Sequence, residues 1–316
     1  MGVIRVLVCI PHFFRRNSAK TAFNNASNLE APASRAAHFS YCLRQVVAIL
    51  EETQFQMGSP GRVASEDVRL LPKAVSGDVV VVSQEGENLL AEVSNGNFVE
   101  HVLWDGPPRE LGYHCRRVFA ERAGEYDLYC FIEDDTAILD PAFFQKVAAF
   151  HAAFGDDKVL LPNRFEIMGV MDGAWRAYLD APVFSRHRTP DRPGPDELSL
   201  PNFDGAVRFV KSTDSMSGCY VITGAQLRQW MTMPDFQAPL PHWVDGGQDP
   251  MEIAQVPMAG RLPIYRPASE NIGFLEVHHV PNGMSKSPGP YPKVLNILKP
   301  MVEERRRRQS ARRSSP

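Results

Sequence analysis

The sequence predicts an α/β fold, a sandwich in which helices flank a mostly parallel central sheet, and three observations carry that expectation. Residues 3–10, VIRVLVCI, alternate too little for a half-exposed strand and suit one buried on both faces, as in a parallel sheet. Residues 36–55 repeat apolar positions at helical spacing. Strand and helix then alternate over the first 162 residues, the order that gives a parallel, helix-covered sheet.

Each element follows from local chemistry. The first strand contains Arg5 and is eight residues long, whereas crossing a bilayer takes about 18 apolar residues, so it reads as core and the protein as cytoplasmic. The start MGVIRV lacks the Ser or Thr that a myristoylation signal prefers at the sixth position. A polar stretch at 15–34 leads into the helix AAHFSYCLRQVVAILEETQF. GDVVVVS at 77–83 and FVEHVLW at 98–104 are strands bounded by turn residues, 109–122 is a helix and YDLYCFI at 126–132 a strand. Asp140 as N-cap and Pro141 in the first turn open the helix PAFFQKVAAFHAAF, and KVLLP is a short strand after it. The second half changes character. Residues 180–203, rich in Pro, Asp and Arg, read as a long loop. SGCYVIT at 217–223 is a strand feeding the helix AQLRQWM, DPMEIAQV begins another helix, and GFLEVHHV at 273–280 is a late strand. The expected organisation is one domain over 1–300, with halves 1–163 and 164–300, and a disordered basic tail over 301–316.

Composition narrows the function classes. At 316 residues, 44% hydrophobic and 22% charged, the chain can bury a large core. Its five cysteines are odd in number, scattered and mostly in apolar stretches, which speaks against a disulfide framework or a zinc site. The net charge of −3 divides into a tail of +4, six arginines against Glu303 and Glu304, and a body of −7. An acidic body argues against nucleic-acid binding by the folded part, while the tail could touch an anionic membrane. The sequence has no phosphate-binding P-loop, no G-x-G-x-x-G after the first strand, no H-E-x-x-H and no G-x-S-x-G.

Behind YDLYCFI stand three consecutive acids, Glu133, Asp134 and Asp135. Carboxylates packed this tightly repel one another unless something positive sits among them. They fall at the carboxyl end of a predicted parallel strand, where open α/β sheets bind ligands. Oxygen ligands there suit Mg2+ or Mn2+, which bind a few carboxylates together with substrate phosphates and stabilise charge growing on a diphosphate leaving group. The alternative is a set of acids that ends a strand and solvates a turn.

Apolar strand, EDD, a short apolar stretch and then DPAFF opening a helix resembles the metal-binding acidic motif of GT-A-fold glycosyltransferases, which use nucleotide-diphospho-sugars. RELGYHCRRVFAERAGEYDLYCFIEDD is similar to the segment that leads into that motif, and VIRVLVCIPHFFRR to the family's first strand. The resemblance implies that Asp135 ligates the metal and that Asp134 binds it through water or holds the ribose. By the same resemblance Glu133 lies near the nucleotide, and Pro11, His12 and Phe13 lie near the base. Arg116 and Arg117 could face the diphosphate, or form a solvated helix face.

The resemblance also directs attention to later residues. GFLEVHHVPNG ends a strand on two histidines whose side chains alternate, so at most one of His278 and His279 enters the site; His279 is the favoured metal ligand. WVDGGQDPMEIA offers Asp249 or Glu252 as the base that deprotonates the acceptor, with Asp245 a third candidate. Asp249, Pro250 and Glu252 also make a capping box, a structural role that can coexist with catalysis. Ser217 and Gly218 would lie beside the sugar, and Trp243 could stack on it.

The implied activity is transfer of a sugar from a nucleotide diphosphate, UDP favoured, to a hydroxyl of a glycan, lipid-linked or protein acceptor, with Mn2+ or Mg2+. The loop at 180–203 would cover the acceptor. Two other classes stay open: a nucleotidyltransferase that makes nucleotide-sugars, and a non-catalytic relative that binds nucleotide or carbohydrate. Against the first, the region after the first strand holds Arg15, Arg16 and Lys20 without the glycines of a phosphate-gripping loop.

Overall fold

A computed structural model describes residues 2–15, 31–51, 54–57, 63–68, 74–93, 99–106, 108–170, 173–180, 191–202, 205–215, 217–233, 236, 261–280 and 300–308 apart from 302 and 305. Its elements in chain order are β1 (Ile4–His12), α1 (Pro32–Leu50), β2 (Gln54–Met57), β3 (Val63–Val68), β4 (Val75–Ser83), β5 (Glu100–Leu103), α2 (Leu111–Glu121), β6 (Leu128–Ile132) and β7 (Thr136–Ala137). They continue with α3 (Phe143–Phe154), β8 (Val159–Leu160), β9 (Asn163–Val170), β10 (Gly173–Tyr178), β11 (Glu197–Asn202), β12 (Gly205–Ser212), β13 (Cys219–Thr223), α4 (Gly224–Met231), β14 (Ile264–Pro267) and β15 (Glu276–His279).

The predicted Rossmann-type sandwich is present. Its central sheet runs in the order β13-β6-β1-β4-β5, with the β1–β4, β1–β6 and β4–β5 pairs parallel and β13 antiparallel at the edge. Strand alternation sorts β1 between two cores. Ile4, Val6, Val8 and Ile10 pack with Phe39, Leu43 and Val46 of α1, in the same cluster as Phe150 of α3. Leu7 and Cys9 face the other way, toward Cys115, Val118 and Phe119 of α2 and Leu227 and Trp230 of α4. Burial on both faces is why VIRVLVCI shows no polar alternation.

α1 begins with a proline in its first turn, where the missing N–H is not needed. α3 starts two residues later than Pro141; Asp140 still serves the turn, accepting the Ala142 N–H at 2.9 Å. α4 is opened by a capping box between Thr223 and Gln226.

Two further sheets join strands of the second half to β7 and β8 of the first. β9 and β10 form an antiparallel pair joined through β15 to β7, and β11, β12, β14 and β8 form the other sheet. The loop expected over 180–203 is therefore corrected: residues 197–202 are strand β11, paired antiparallel with β12. Leu198 and Leu200 alternate with exposed residues and lean on the main core, so Pro and Asp around them disguise an edge strand. The described residues between 300 and 308 are helical, with Arg308 bonded to Glu304 one turn earlier at 2.8 Å; residues 309–316 of the expected tail lie outside the described residues. All five cysteines are buried and unbridged. Among the described residues, no helix is long and apolar enough to cross a membrane.

Candidate functional site

The chain reverses its direction of sheet growth at β1. It leaves β1 through α1 to β4 on one side, continues to β5, and returns through α2 to β6 on the other side of β1. The crevice at such a switch point, beyond the carboxyl ends of the strands, is where α/β sheets bind ligands. His12 ends β1 there and Glu133, Asp134 and Asp135 follow β6.

The three acids meet cations supplied by the protein itself. Asp134 is enclosed on both oxygens: Oδ2 accepts from His12 Nδ1 at 2.5 Å and Oδ1 accepts from Arg35 Nη2. His12 Nε2 accepts the Leu89 N–H at 3.0 Å, so the imidazole proton sits on Nδ1, toward Asp134. The ring also stacks on Phe39, with centroids 4.3 Å apart. Glu133 lies 4.0 Å from Arg164 Nη1, and Arg164 in turn pairs with the buried Asp180 at 3.1 Å.

Asp135 is the least covered of the three, its side chain 18% exposed against 11% for Asp134 and 9% for Glu133. Its Oδ2 is 3.7 Å from Arg35 Nη1 and 3.6 Å from His279 Nε2. The His279 Nδ1 is bonded to the fully buried Glu166 at 2.6 Å, and the Val280 N–H donates to the Asp135 carbonyl at 2.9 Å. Burial opposes ionisation of Asp135, but His279, Arg35 and Arg164 outweigh it and hold the carboxyl well below the ordinary range. Burial pulls the His279 imidazole down, while Asp135 and Glu166 overcome this and push it up to about 9.

The late strand separates its histidines as alternation requires. His278 stacks on Phe165, centroids 4.9 Å apart, and His279 turns to Asp135. Ser217 and Gly218 are brought beside the acids: the Glu133 N–H donates to the Gly218 carbonyl at 2.9 Å, and the Ser217 hydroxyl turns inward to the Cys219 carbonyl. Gly218 has φ +64°, and a Cβ there would stand 2.7 Å from Glu133 Oε2. Pro11 pairs with Val82 in the sheet, and Phe13, just beyond β1, is half-buried against the α2 side under Arg15.

Arg116 is placed elsewhere. It lies buried under α2, its guanidinium against the rings of Tyr113 at 4.5 Å and Trp230 at 5.1 Å, on the sheet face opposite Arg35 and α1. Neither a solvated face nor a place among the acids describes it. Trp243, Asp245, Asp249 and Glu252 lie outside the described residues.

Nothing in the sequence motifs singles out Arg35, Arg164 or Glu166. The one visible signal is Arg35 standing four residues before Phe39, on the apolar face of its helix. For Glu166, an acid in the half-polar stretch NRFEIMGV, nothing local marks a partner 113 residues away.

Asp135 and His279 suit a divalent ion as a two-ligand site. Metal bonds of about 2.1 Å place two ligands of one ion roughly 3 to 4 Å apart, and their 3.6 Å separation falls within that span. A buried carboxylate behind the far nitrogen of a histidine is also the usual means of aiming a metal-binding imidazole. Asp134, expected as a second ligand, has both oxygens committed to His12 and Arg35. Among the described residues no group of three or more His, Cys, Asp or Glu is placed to hold a metal, so an ion here would take its remaining ligands from substrate oxygens and water.

No family model and no curated protein matches the chain. Among solved structures it is similar to S. aureus TarS 1–349, at 11% identity and a TM-score of 0.41, over 88% of this chain and 61% of that one. It is also similar to CMP:2-keto-3-deoxy-manno-octonic acid synthetase complexed with CTP, at 10% identity and a TM-score of 0.37, over 95% of this chain and 99% of that one. The chain thus spans about six-tenths of the TarS length. Likenesses this low carry no assignment.

Proposed function

We propose that this chain is a metal-dependent glycosyltransferase of the GT-A type, using a nucleotide-diphospho-sugar, UDP-sugar by preference, and a hydroxyl acceptor. The observation that supports it best is the convergence of Asp135 and His279 at the switch point, with Glu166 orienting the imidazole. Asp135 and His279 would hold Mn2+ or Mg2+, which when bound neutralises charge on the diphosphate as it leaves the sugar.

The remaining roles belong to the chain's own residues. Pro11, His12 and Phe13 would line the β1 end of the nucleotide site, a reading supported by the hold of Asp134 and Phe39 on the His12 ring. Gly218, lacking a side chain, lets the Glu133 carboxylate lie against its backbone, where a Cβ would stand 2.7 Å from Glu133 Oε2, and so keeps that acid beside the proposed sugar site. Asp249 is proposed as the base that takes the acceptor hydroxyl proton, with Glu252 and Asp245 as substitutes for it and Trp243 as a platform for the sugar. The basic tail would add weak attraction to an anionic membrane where the acceptor is lipid-linked.

A thermal-shift screen of UDP-, GDP-, CMP- and ADP-sugars and of the free nucleoside triphosphates, with and without Mn2+ and repeated on Asp135→Ala, tests the proposal. One donor should stabilise the protein only with Mn2+, and the variant should lose the response. Stabilisation by free nucleoside triphosphate in place of any nucleotide-sugar would transfer the assignment to a nucleotidyltransferase.

A further inference from the structure

We propose that Arg35 is a positioning residue that keeps Asp134 for the protein and makes divalent-metal binding at Asp135 depend on the donor's diphosphate. The inference rests on the metal-dependent reading above and concerns a residue to which that reading gives no role.

Arg35 sits in the first turns of α1, 2% exposed, with Nη2 bonded to Asp134 Oδ1 and Nη1 3.7 Å from Asp135 Oδ2. Because His12 takes the other oxygen of Asp134, that carboxylate cannot swing toward a metal without breaking two buried hydrogen bonds. Arg35 therefore helps to withhold Asp134 and leaves Asp135, the less covered of the two aspartates, for an ion. It also leaves a fixed positive charge about 4 Å from that carboxylate, which repels a divalent ion arriving alone.

A second observation points to the missing partner. Nε and Nη1 of Arg35 are buried and make no hydrogen bond among the described residues, although guanidinium N–H groups in such surroundings are ordinarily satisfied. They belong to the guanidinium that faces Asp135. A diphosphate bound at the crevice brings at least two negative charges: it would give Nη1 an oxygen acceptor, offset the repulsion and complete the metal's ligands. Metal and nucleotide would then each tighten the other's binding by the same factor.

Manganese binding to the full chain, read from the electron paramagnetic resonance signal of free Mn2+ with and without UDP, tests this. In the wild type, Mn2+ alone should bind weakly and UDP should tighten it by about a hundredfold. In Arg35→Met, Mn2+ alone should bind about tenfold tighter and the enhancement by UDP should shrink by a similar factor. Because that variant strands the Asp134 charge, the double change Arg35→Met, Asp134→Asn is measured beside it; it keeps an acceptor for His12 and should show the same shift. Unchanged or weaker Mn2+ binding in the folded variants, with the UDP enhancement intact, would overturn the role of Arg35. If no form binds Mn2+ even with UDP, the metal-dependent reading fails and takes this inference with it.

Discussion

Asp135 and His279 hold each other in their charged forms, and this sets the behaviour of the metal-free protein. The imidazole is raised in the fold to about 9, so its contribution to stability is fully present below its unfolded value and lost as pH rises through 9. The carboxyl is depressed, so its contribution is present above the ordinary carboxylate range and lost only as pH falls below it. Metal-free protein should therefore lose melting temperature between about pH 6.5 and 9, and His279→Asn should flatten that decline; equal slopes in both proteins would refute the coupling. Behind the pair, Glu166→Gln should weaken Mn2+ binding in the presence of UDP by about ten- to a hundredfold while the protein stays folded, because a buried partner no longer fixes the ring. At Gly218, alanine combines a left-handed backbone with a 2.7 Å approach to Glu133, and should lower stability by about 1 to 3 kcal/mol in denaturant titration.

At the scale of elements, α1 ties core to site. Its buried stripe carries Phe39, which supports His12, one turn from Arg35, which holds Asp134. Phe39→Ala should cost about 3 to 5 kcal/mol by cavity formation, and should impair nucleotide binding as well because the His12 ring loses its stacking surface. A variant that loses stability yet binds nucleotide unchanged would show that the two functions of this helix are separate. Elements were readable wherever burial wrote a pattern into the chain. β1, β4 and β6 are buried on both faces and α1 to α4 bear apolar stripes, so their residue types alone identify them. The β9–β12 region was not readable, since half-exposed strands mix charge with apolar residues and β11 contains a proline at position 201. The site divides similarly. The acids stand out because they interrupt an apolar strand, whereas Arg35 and Arg164 are partners chosen by tertiary placement, 99 residues from Asp134 and 31 from Glu133.

For the whole molecule, what matters is that the sheet reverses at β1. That reversal opens the crevice, brings His12 beside Asp134 across 122 residues, and lets β15 deliver His279 to Asp135 from the far end of the chain. The N-terminal half supplies His12 and the three acids at the ends of β1 and β6, and the second half returns a histidine and its supporting glutamate to the same edge. A crystal grown with Mn2+ and UDP tests this most directly, by the anomalous signal of manganese. The account predicts a peak between Asp135 Oδ2 and His279 Nε2, within about 2.3 Å of both, with diphosphate oxygens completing the coordination. Nucleotide bound at the β1–β6 crevice with no manganese at that pair, or manganese held by Asp134 after release from Arg35, would contradict it.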